Sequence, residues 1–189
     1  MEKRVNISQT VLHLLEGLVA GKTDKRARVC VIMSRDDQVA RAVASQGHRL
    51  VVAGDRFKPL FRFNQRNRPY NPVLAVETEF RALPLLPEAF DVIIVARPLP
   101  GGSDLGRELQ RLRQFLKSGG TLMWIHPIYR GLAGRLQRAF APRLHRMERH
   151  VLCRTAMEQG FRQIGQETVR GYRGTRYVLT RATLQRHLS

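Results

Sequence analysis

The sequence predicts a single-domain α/β protein with a mixed seven-stranded sheet and helices on both faces. First, short apolar runs of strand length alternate with amphipathic helical segments along the chain. Second, a strand at 28–33, a helix at 38–46 and a strand at 48–53 form a βαβ unit. Third, runs at 161–170 and 175–180 flank a glycine-containing turn, which predicts a C-terminal antiparallel hairpin. Parallel strands followed by a hairpin give one mixed sheet between two helical layers.

The other elements complete this pattern. Ser8 is a suitable N-cap for a helix over 8–19, and Asp36 or Asp37 starts the helix that Gly47 ends. The remaining predictions are strands at 73–76, 91–96 and 121–125, a helix at 105–117 closed by Gly119 and Gly120, and two arginine-rich helices on either side of Pro142. We expect residues 1–27 to form an N-terminal helix and linker, and residues 28–189 to form the α/β domain.

The composition limits the class of protein. A chain of 189 residues with 43% apolar residues suits one buried core. The sequence contains no run of about 18 apolar residues, so no membrane span is predicted. His13 and Glu16 interrupt the first apolar segment, so a cytoplasmic protein is expected. The two cysteines have neither a disulfide framework nor metal-ligand spacing, so no metal is expected.

The charge is strongly basic. The net charge is +18, arginine supplies 28 of the 33 basic residues, and residues 130–189 contain 13 arginines against three glutamates. Such a charge predicts nucleic acid or another polyanion as a partner. The alternative, which stays open, is an arginine-rich genome with a solvated surface. The apolar N-terminal helix either contacts a protein partner or covers the sheet.

Several motifs in the second half of the chain occur in a characteristic order. A Leu-Pro-Leu turn at 83–85 precedes Phe-Asp-Val-Ile-Ile-Val at 90–95. Glu108 and Leu112 lie on the next helix, which leads to Phe-Leu-Lys-Ser-Gly-Gly at 115–120 and Thr-Leu at 121–122. Gly160 and Phe161 open the hairpin. Over residues 28–181 the chain resembles the class I S-adenosylmethionine-dependent methyltransferases, which implies their Rossmann-like fold.

The resemblance implies a cofactor site at the carboxyl ends of the first strands. Asp55 corresponds to the acid that holds the ribose hydroxyls, and Glu79 to the acid that meets the adenine amino group; ordinary solvated acids are the alternative. The family's glycine-rich loop falls on residues 33–37, which contain no glycine. We expect side chains there to crowd the ligand, and Asp36 and Asp37 to repel its carboxylate. Arg35 is the predicted substitute anchor for S-adenosylmethionine.

Two segments are candidates for nucleic-acid binding. Residues 56–72 form a predicted loop, in place of a helix usual in the family, where aromatic and basic residues alternate without an acid. Cations can contact phosphates while rings stack on bases; alternatively, Phe57, Phe61 and Phe63 pack on the core. The second segment, residues 130–154, contains arginines three residues apart, which places pairs of them on common helix faces. The candidate residues are Arg56, Lys58, Arg62, Arg66, Arg68, Arg135, Arg138, Arg146 and Arg149.

No catalytic residue is assigned from the sequence. Arg97, after the fourth strand, either contacts an anionic substrate or is solvated, and we favour solvation. His126, after the fifth strand, is a structural residue or a base. The sequence thus predicts a methyltransferase-like protein with a degenerate cofactor loop, acting as a basic nucleic-acid-binding or scaffolding module with weak or no methyl transfer. The alternatives are an active methyltransferase acting on RNA, DNA or an associated protein, and a small-molecule methyltransferase.

Overall fold

The computed structural model of the chain describes residues 7–20, 26–33, 37–67, 74–79, 82–97, 104–128, 149–170 and 176–185. Within these ranges the helices are α1 (Ile7–Val19), α2 (Gln38–Ser45), α3 (Phe57–Asn67), α4 (Asp104–Phe115) and α5 (Arg149–Glu158). The strands are β1 (Arg28–Met33), β2 (Arg49–Gly54), β3 (Leu74–Glu77), β4 (Phe90–Ala96), β5 (Leu116–Ile128), β6 (Phe161–Arg170) and β7 (Arg176–Leu184). None of the described helices is long and apolar enough to cross a membrane.

The seven strands form one sheet in the order β3-β2-β1-β4-β5-β7-β6. β1 to β5 pair in parallel, whereas β7 is antiparallel to both β5 and β6. The order reverses direction between β1 and β4, so the carboxyl ends of these strands flank the point where open α/β sheets bind ligands. The predicted mixed sheet and C-terminal hairpin are confirmed.

Each face of the sheet has its own buried layer, because successive side chains of a strand point to opposite faces. On β1, Val29 and Val31 belong to the first layer, into which α1, α2 and α3 pack. Cys30 and Ile32 belong to the second layer, which α4 and α5 cover. α1 contributes Val11 and Leu15, both fully buried, so it covers the sheet. Whether residue 27 is a domain boundary stays a prediction.

The predicted loop over residues 56–72 is wrong for most of its length, because residues 57–67 form α3. Leu60 and Phe63 are three residues apart and both are buried in the first layer. This spacing is that of an amphipathic helix, and the buried pair anchors the helix to the sheet. Pro59 is the third helical residue, where the missing N–H has no partner within the helix in any case.

Smaller differences concern the ends of elements. α1 begins at Ile7, one residue before the predicted cap Ser8. α4 ends at Phe115 and β5 begins at Leu116, with a register irregularity against β4. Gly119 has a φ of 75°, and a Cβ on Gly120 would lie 2.8 Å from the carbonyl oxygen of Lys117. The two glycines therefore belong to an irregular strand start rather than to a helix end.

Candidate functional site

The carboxyl ends of the first four strands meet at one edge of the sheet, here called the ligand edge. Met33 at the end of β1 pairs in register with Gly54 of β2 and with Ala96 of β4. Gly54 in turn pairs with Glu77 of β3. Because the chain leaves each strand at this level, the described residues that directly follow β2, β3 and β4 lie on the same edge.

Asp55 and Glu79 follow the ends of the paired strands β2 and β3 on the ligand edge. Asp55 follows β2 directly, and the Thr78 N–H donates to the carbonyl oxygen of Gly54 at 2.9 Å. This bond holds the segment that carries Glu79 against the end of β2. The carbonyl oxygen of Glu79 accepts the Ala82 N–H at 2.9 Å. Both carboxylates are exposed, so both can accept hydrogen bonds from a ligand's hydroxyl or amino groups.

The segment after β1 is described at its two ends, Met33 and Asp37. Met33 is buried, and Asp37 stands at the N-cap of α2 with a mostly buried side chain. Its Oδ1 lies 3.3 Å from Nε of Arg41 in an i, i+4 ion pair. A carboxylate at this helix N-terminus occupies the position that favours an anion, and repels a second one. Arg35, the predicted anchor, lies outside the described residues.

Gly54, at the end of β2, is a glycine that close packing at the ligand edge requires. A Cβ there would lie 3.1 Å from the carbonyl oxygen of Met33 and 3.4 Å from Cγ of Leu60. The bare backbone therefore lets β2 pass close to both β1 and α3. This glycine serves packing between elements, and it does not replace those absent from residues 33–37.

Arg97, for which the sequence favoured solvation, is a largely enclosed side chain in the structure. Its Nη2 lies 3.7 Å from Oε1 of Glu108 on α4, and the two side chains are 24% and 11% exposed. Its backbone carbonyl oxygen accepts the indole N–H of the buried Trp124 at 3.1 Å. Sequence reasoning missed Glu108 as this partner. The available signal was that Glu108 lies next to the apolar positions Leu105 and Leu109 on α4, where an acid needs a partner.

The outer face of α3 presents cations beside an aromatic ring. Lys58, Phe61 and Arg62 are exposed and lie three and four residues apart, on one side of the helix. Phe61 retains 48% exposure, whereas Phe63 is fully buried. Arg56, just before the helix, is exposed as well. Phe63 therefore packs on the core, as the alternative interpretation predicts, whereas stacking of Phe61 on a base stays a prediction.

The other predicted basic positions lie mainly outside the described residues. Arg66 belongs to α3 and Arg149 begins α5, but the side chains of these two are not among those described. Arg68, Arg135, Arg138 and Arg146 lie in undescribed segments. The structure therefore brings together Arg56, Lys58 and Arg62 from the predicted set.

Metal and thiol chemistry find no support in the described part of the chain. No group of three or more His, Cys, Asp or Glu side chains there could hold a metal ion. Cys30 is buried in β1, and this burial raises the pKa of its thiol to about 12. His126 lies on β5 opposite Val178 and is half-buried. Its role as a base stays a prediction.

Several solved structures with similar architecture are methyltransferases. The trans-methyltransferase CalH, in complex with S-adenosylhomocysteine, superposes with a TM-score of 0.70 at 15% identity, covering 90% of this chain and 54% of CalH. This chain has the class I methyltransferase fold. An S-adenosylmethionine-dependent methyltransferase from Methanosarcina mazei gives a TM-score of 0.69 at 10% identity, with 90% and 98% coverage. The N-methyltransferase NodS from Bradyrhizobium japonicum, in complex with S-adenosylhomocysteine, gives 0.61 at 15% identity, with 95% and 88% coverage.

The methyltransferase fold is shared with proteins of different length. The chain spans 54% of CalH and 49% of the CurJ carbon methyltransferase, which is about half of each. No protein-family model matches the sequence, and a comparison with curated proteins finds no match. Identities of 10–15% show the fold alone, so activity and partners need support from this chain's own residues.

Proposed function

We propose that this protein is a nucleic-acid-binding module built on the methyltransferase fold, with weak or no methyl transfer. The observation that supports binding is the outer face of α3, where Lys58 and Arg62 lie beside the exposed ring of Phe61. The whole helix contains no acidic residue. Cations contact phosphates and an exposed ring stacks on an unpaired base, so a single strand is the preferred form.

The weak transfer is supported by the segment after β1. Residues 33–37 lack glycine, Met33 fills the end of the strand, and Asp37 places a carboxylate at the start of α2. A ligand carboxylate at the start of α2 would meet that negative charge. Arg41 already pairs with Asp37, so this guanidinium has an anionic partner before any ligand arrives.

The test for binding is fluorescence anisotropy with a labelled single-stranded oligonucleotide and its duplex, over a range of salt concentrations. We expect tighter binding to the single strand and a logarithmic fall in affinity with salt, because phosphate contacts release counterions. Lys58→Gln with Arg62→Gln should weaken binding to both forms. Phe61→Ala should weaken mainly single-strand binding, by about 1–3 kcal/mol for one stacked base.

A matched control separates this surface from general charge. The variant Arg107→Gln with Arg181→Gln also removes two positive charges, but from exposed positions on α4 and β7. If this control weakens binding as much as the α3 pair does, α3 is not the binding surface. Absence of binding to either nucleic acid at low salt would refute the proposed function.

The second candidate is an active S-adenosylmethionine-dependent methyltransferase acting on RNA, DNA or an associated protein. It is favoured by Asp55 and Glu79, which are both exposed and follow the ends of the adjacent strands β2 and β3. Two of the matched structures contain S-adenosylhomocysteine. Calorimetric titration decides between the candidates: micromolar binding of S-adenosylmethionine or S-adenosylhomocysteine, lost in Asp55→Ala, supports the enzyme. No heat at millimolar ligand supports the module without transfer.

A further inference from the structure

The amino ends of the parallel strands form a second charged edge, opposite the ligand edge. Arg28 and Arg49 are the first residues of β1 and β2, and both are exposed. They are register partners in the parallel ladder. Neighbouring strands are about 4.8 Å apart, so the two Cα atoms are held close together.

The two side chains also share a face of the sheet. Alternation along β1 places Arg28 on the side of Cys30 and Ile32, which are buried in the second layer. Alternation along β2 places Arg49 on the side of Val51 and Ala53, which contact the same layer. Two guanidinium groups therefore extend from adjacent positions in the same direction.

The backbone around the arginine pair is fixed by three hydrogen bonds. The Arg49 N–H donates to the carbonyl oxygen of Ala27 at 3.1 Å. The Ala27 N–H donates to Nδ1 of the buried His48 at 3.4 Å. The Arg28 N–H donates to Oδ2 of Asp91 at 2.9 Å. These bonds tie the starts of β1, β2 and β4 together, so the spacing of the two arginines does not depend on a ligand.

Charged residues follow one another along this edge. Across β2, β1, β4 and β5 the described residues are Arg49, Arg28, Asp91 and Lys117, and Asp91 Oδ1 lies 3.1 Å from Nζ of Lys117. Arg28 and Arg49 thus add two exposed cations beside this ion pair. A phosphate group between the two guanidinium groups would accept several charge-assisted hydrogen bonds from them.

We propose that Arg28 and Arg49 form a phosphate-binding site at the amino edge of the sheet, separate from the ligand edge and from α3. The shared chemistry is a phosphate oxygen cluster, supplied either by a nucleic-acid backbone or by a small phosphorylated molecule. The site goes beyond the proposed function, since it uses none of the α3 residues.

Two measurements on the full chain distinguish these sources. The first is the shift in melting temperature caused by inorganic pyrophosphate at constant ionic strength. The second is the salt dependence of oligonucleotide binding. Arg28→Gln with Arg49→Gln should abolish the pyrophosphate shift if small phosphates bind. It should reduce the salt slope by about 1.4 for two single-strand phosphate contacts if nucleic acid binds.

The control variant is again Arg107→Gln with Arg181→Gln, which lowers the net charge by the same amount. Circular dichroism should show that both double variants are folded, because the four replaced side chains are all exposed. Loss of either signal in the Arg28/Arg49 variant, with the control unchanged, supports the site and identifies its ligand. Equal effects in both variants, or no effect in either, overturn it. A protein that binds pyrophosphate at this site but no nucleic acid would refute the proposed function alone.

Discussion

Asp91 is the residue whose replacement tests the packing of the sheet most directly. Its carboxylate accepts the backbone N–H of Arg28 at 2.9 Å and the ammonium group of Lys117 at 3.1 Å. It therefore joins β1 to the starts of β4 and β5. Asp91→Ala removes both interactions, whereas Asp91→Asn retains an oxygen that can accept the N–H.

The magnitude follows from the two bonds. A hydrogen bond to a charged group contributes about 1.5–3 kcal/mol, and the lower end applies because this bond is exposed. The Lys117 side chain is 39% exposed, so the ion pair adds at most about 0.5 kcal/mol. Asp91→Ala should then lower the free energy of unfolding by about 2 kcal/mol, Asp91→Asn by about 1 and Lys117→Met by about 0.5.

The assay is urea unfolding followed by fluorescence of Trp124, the single tryptophan, which is 1% exposed in the fold. Two-state unfolding of a chain this size loses about 2–4 °C in melting temperature per kcal/mol, so Asp91→Ala should melt about 4–8 °C lower. An Asn variant as unstable as the Ala variant would show that charge, rather than the backbone bond, is responsible. An Ala variant within 0.5 kcal/mol of the original chain, on the scale of surface substitutions, would refute the reasoning altogether.

Three further perturbations have defined outcomes. Gly54→Ala places a Cβ 3.1 Å from the Met33 carbonyl oxygen, and should cost about 1–2 kcal/mol of unfolding free energy in the same urea assay. Burial lowers the pKa of His48, so the unfolded chain binds its proton more readily. The neutral, buried His48 therefore stabilises the folded chain fully above pH about 6.5, the pKa of the unfolded state. This stabilisation is lost as the pH falls towards the lower pKa of the folded state. His48→Gln should reduce that slope in urea titrations between pH 5 and 8, and an unchanged slope would contradict this role. Cys30, with a pKa of about 12, should react with a thiol reagent at pH 8 only after denaturant is added, as mass spectrometry of the labelled peptide can determine.

The fold was predictable because buried parallel strands are continuous apolar runs. β1 and β4 are buried over nearly their whole length, and no other element type of that length fits such runs between polar breaks. The helix α3 was not predicted, because Pro59 and the asparagines are typical of loops. Its helical signal was the spacing of Leu60 and Phe63, which becomes decisive only when the sheet supplies a surface to pack against.

The candidate site was predictable in part. Asp55 and Glu79 could be placed at strand ends from the sequence, since a polar residue directly after an apolar run marks such an end. The pairing of Arg97 with Glu108 could not, because it depends on how α4 crosses the sheet. The pairing of Arg28 with Arg49 depends on the register between β1 and β2, which no local pattern specifies.

If the proposed function is correct, α3 connects the ligand edge to the nucleic-acid-binding surface, which is the outer face of that helix. α3 begins two residues after Asp55; the exposed Arg56 lies between them, and the exposed Lys58 is the second residue of the helix. A ligand held by Asp55 would fix the start of α3, which carries the phosphate contacts. Any change that an adenosyl ligand makes to nucleic-acid affinity must appear, by the same factor, in the effect of nucleic acid on adenosyl binding. Each affinity should therefore be measured with and without the other ligand. Equal changes in the two affinities would show that α3 couples two occupied sites. Absence of adenosyl binding under both conditions would show that the strand ends no longer bind a nucleoside.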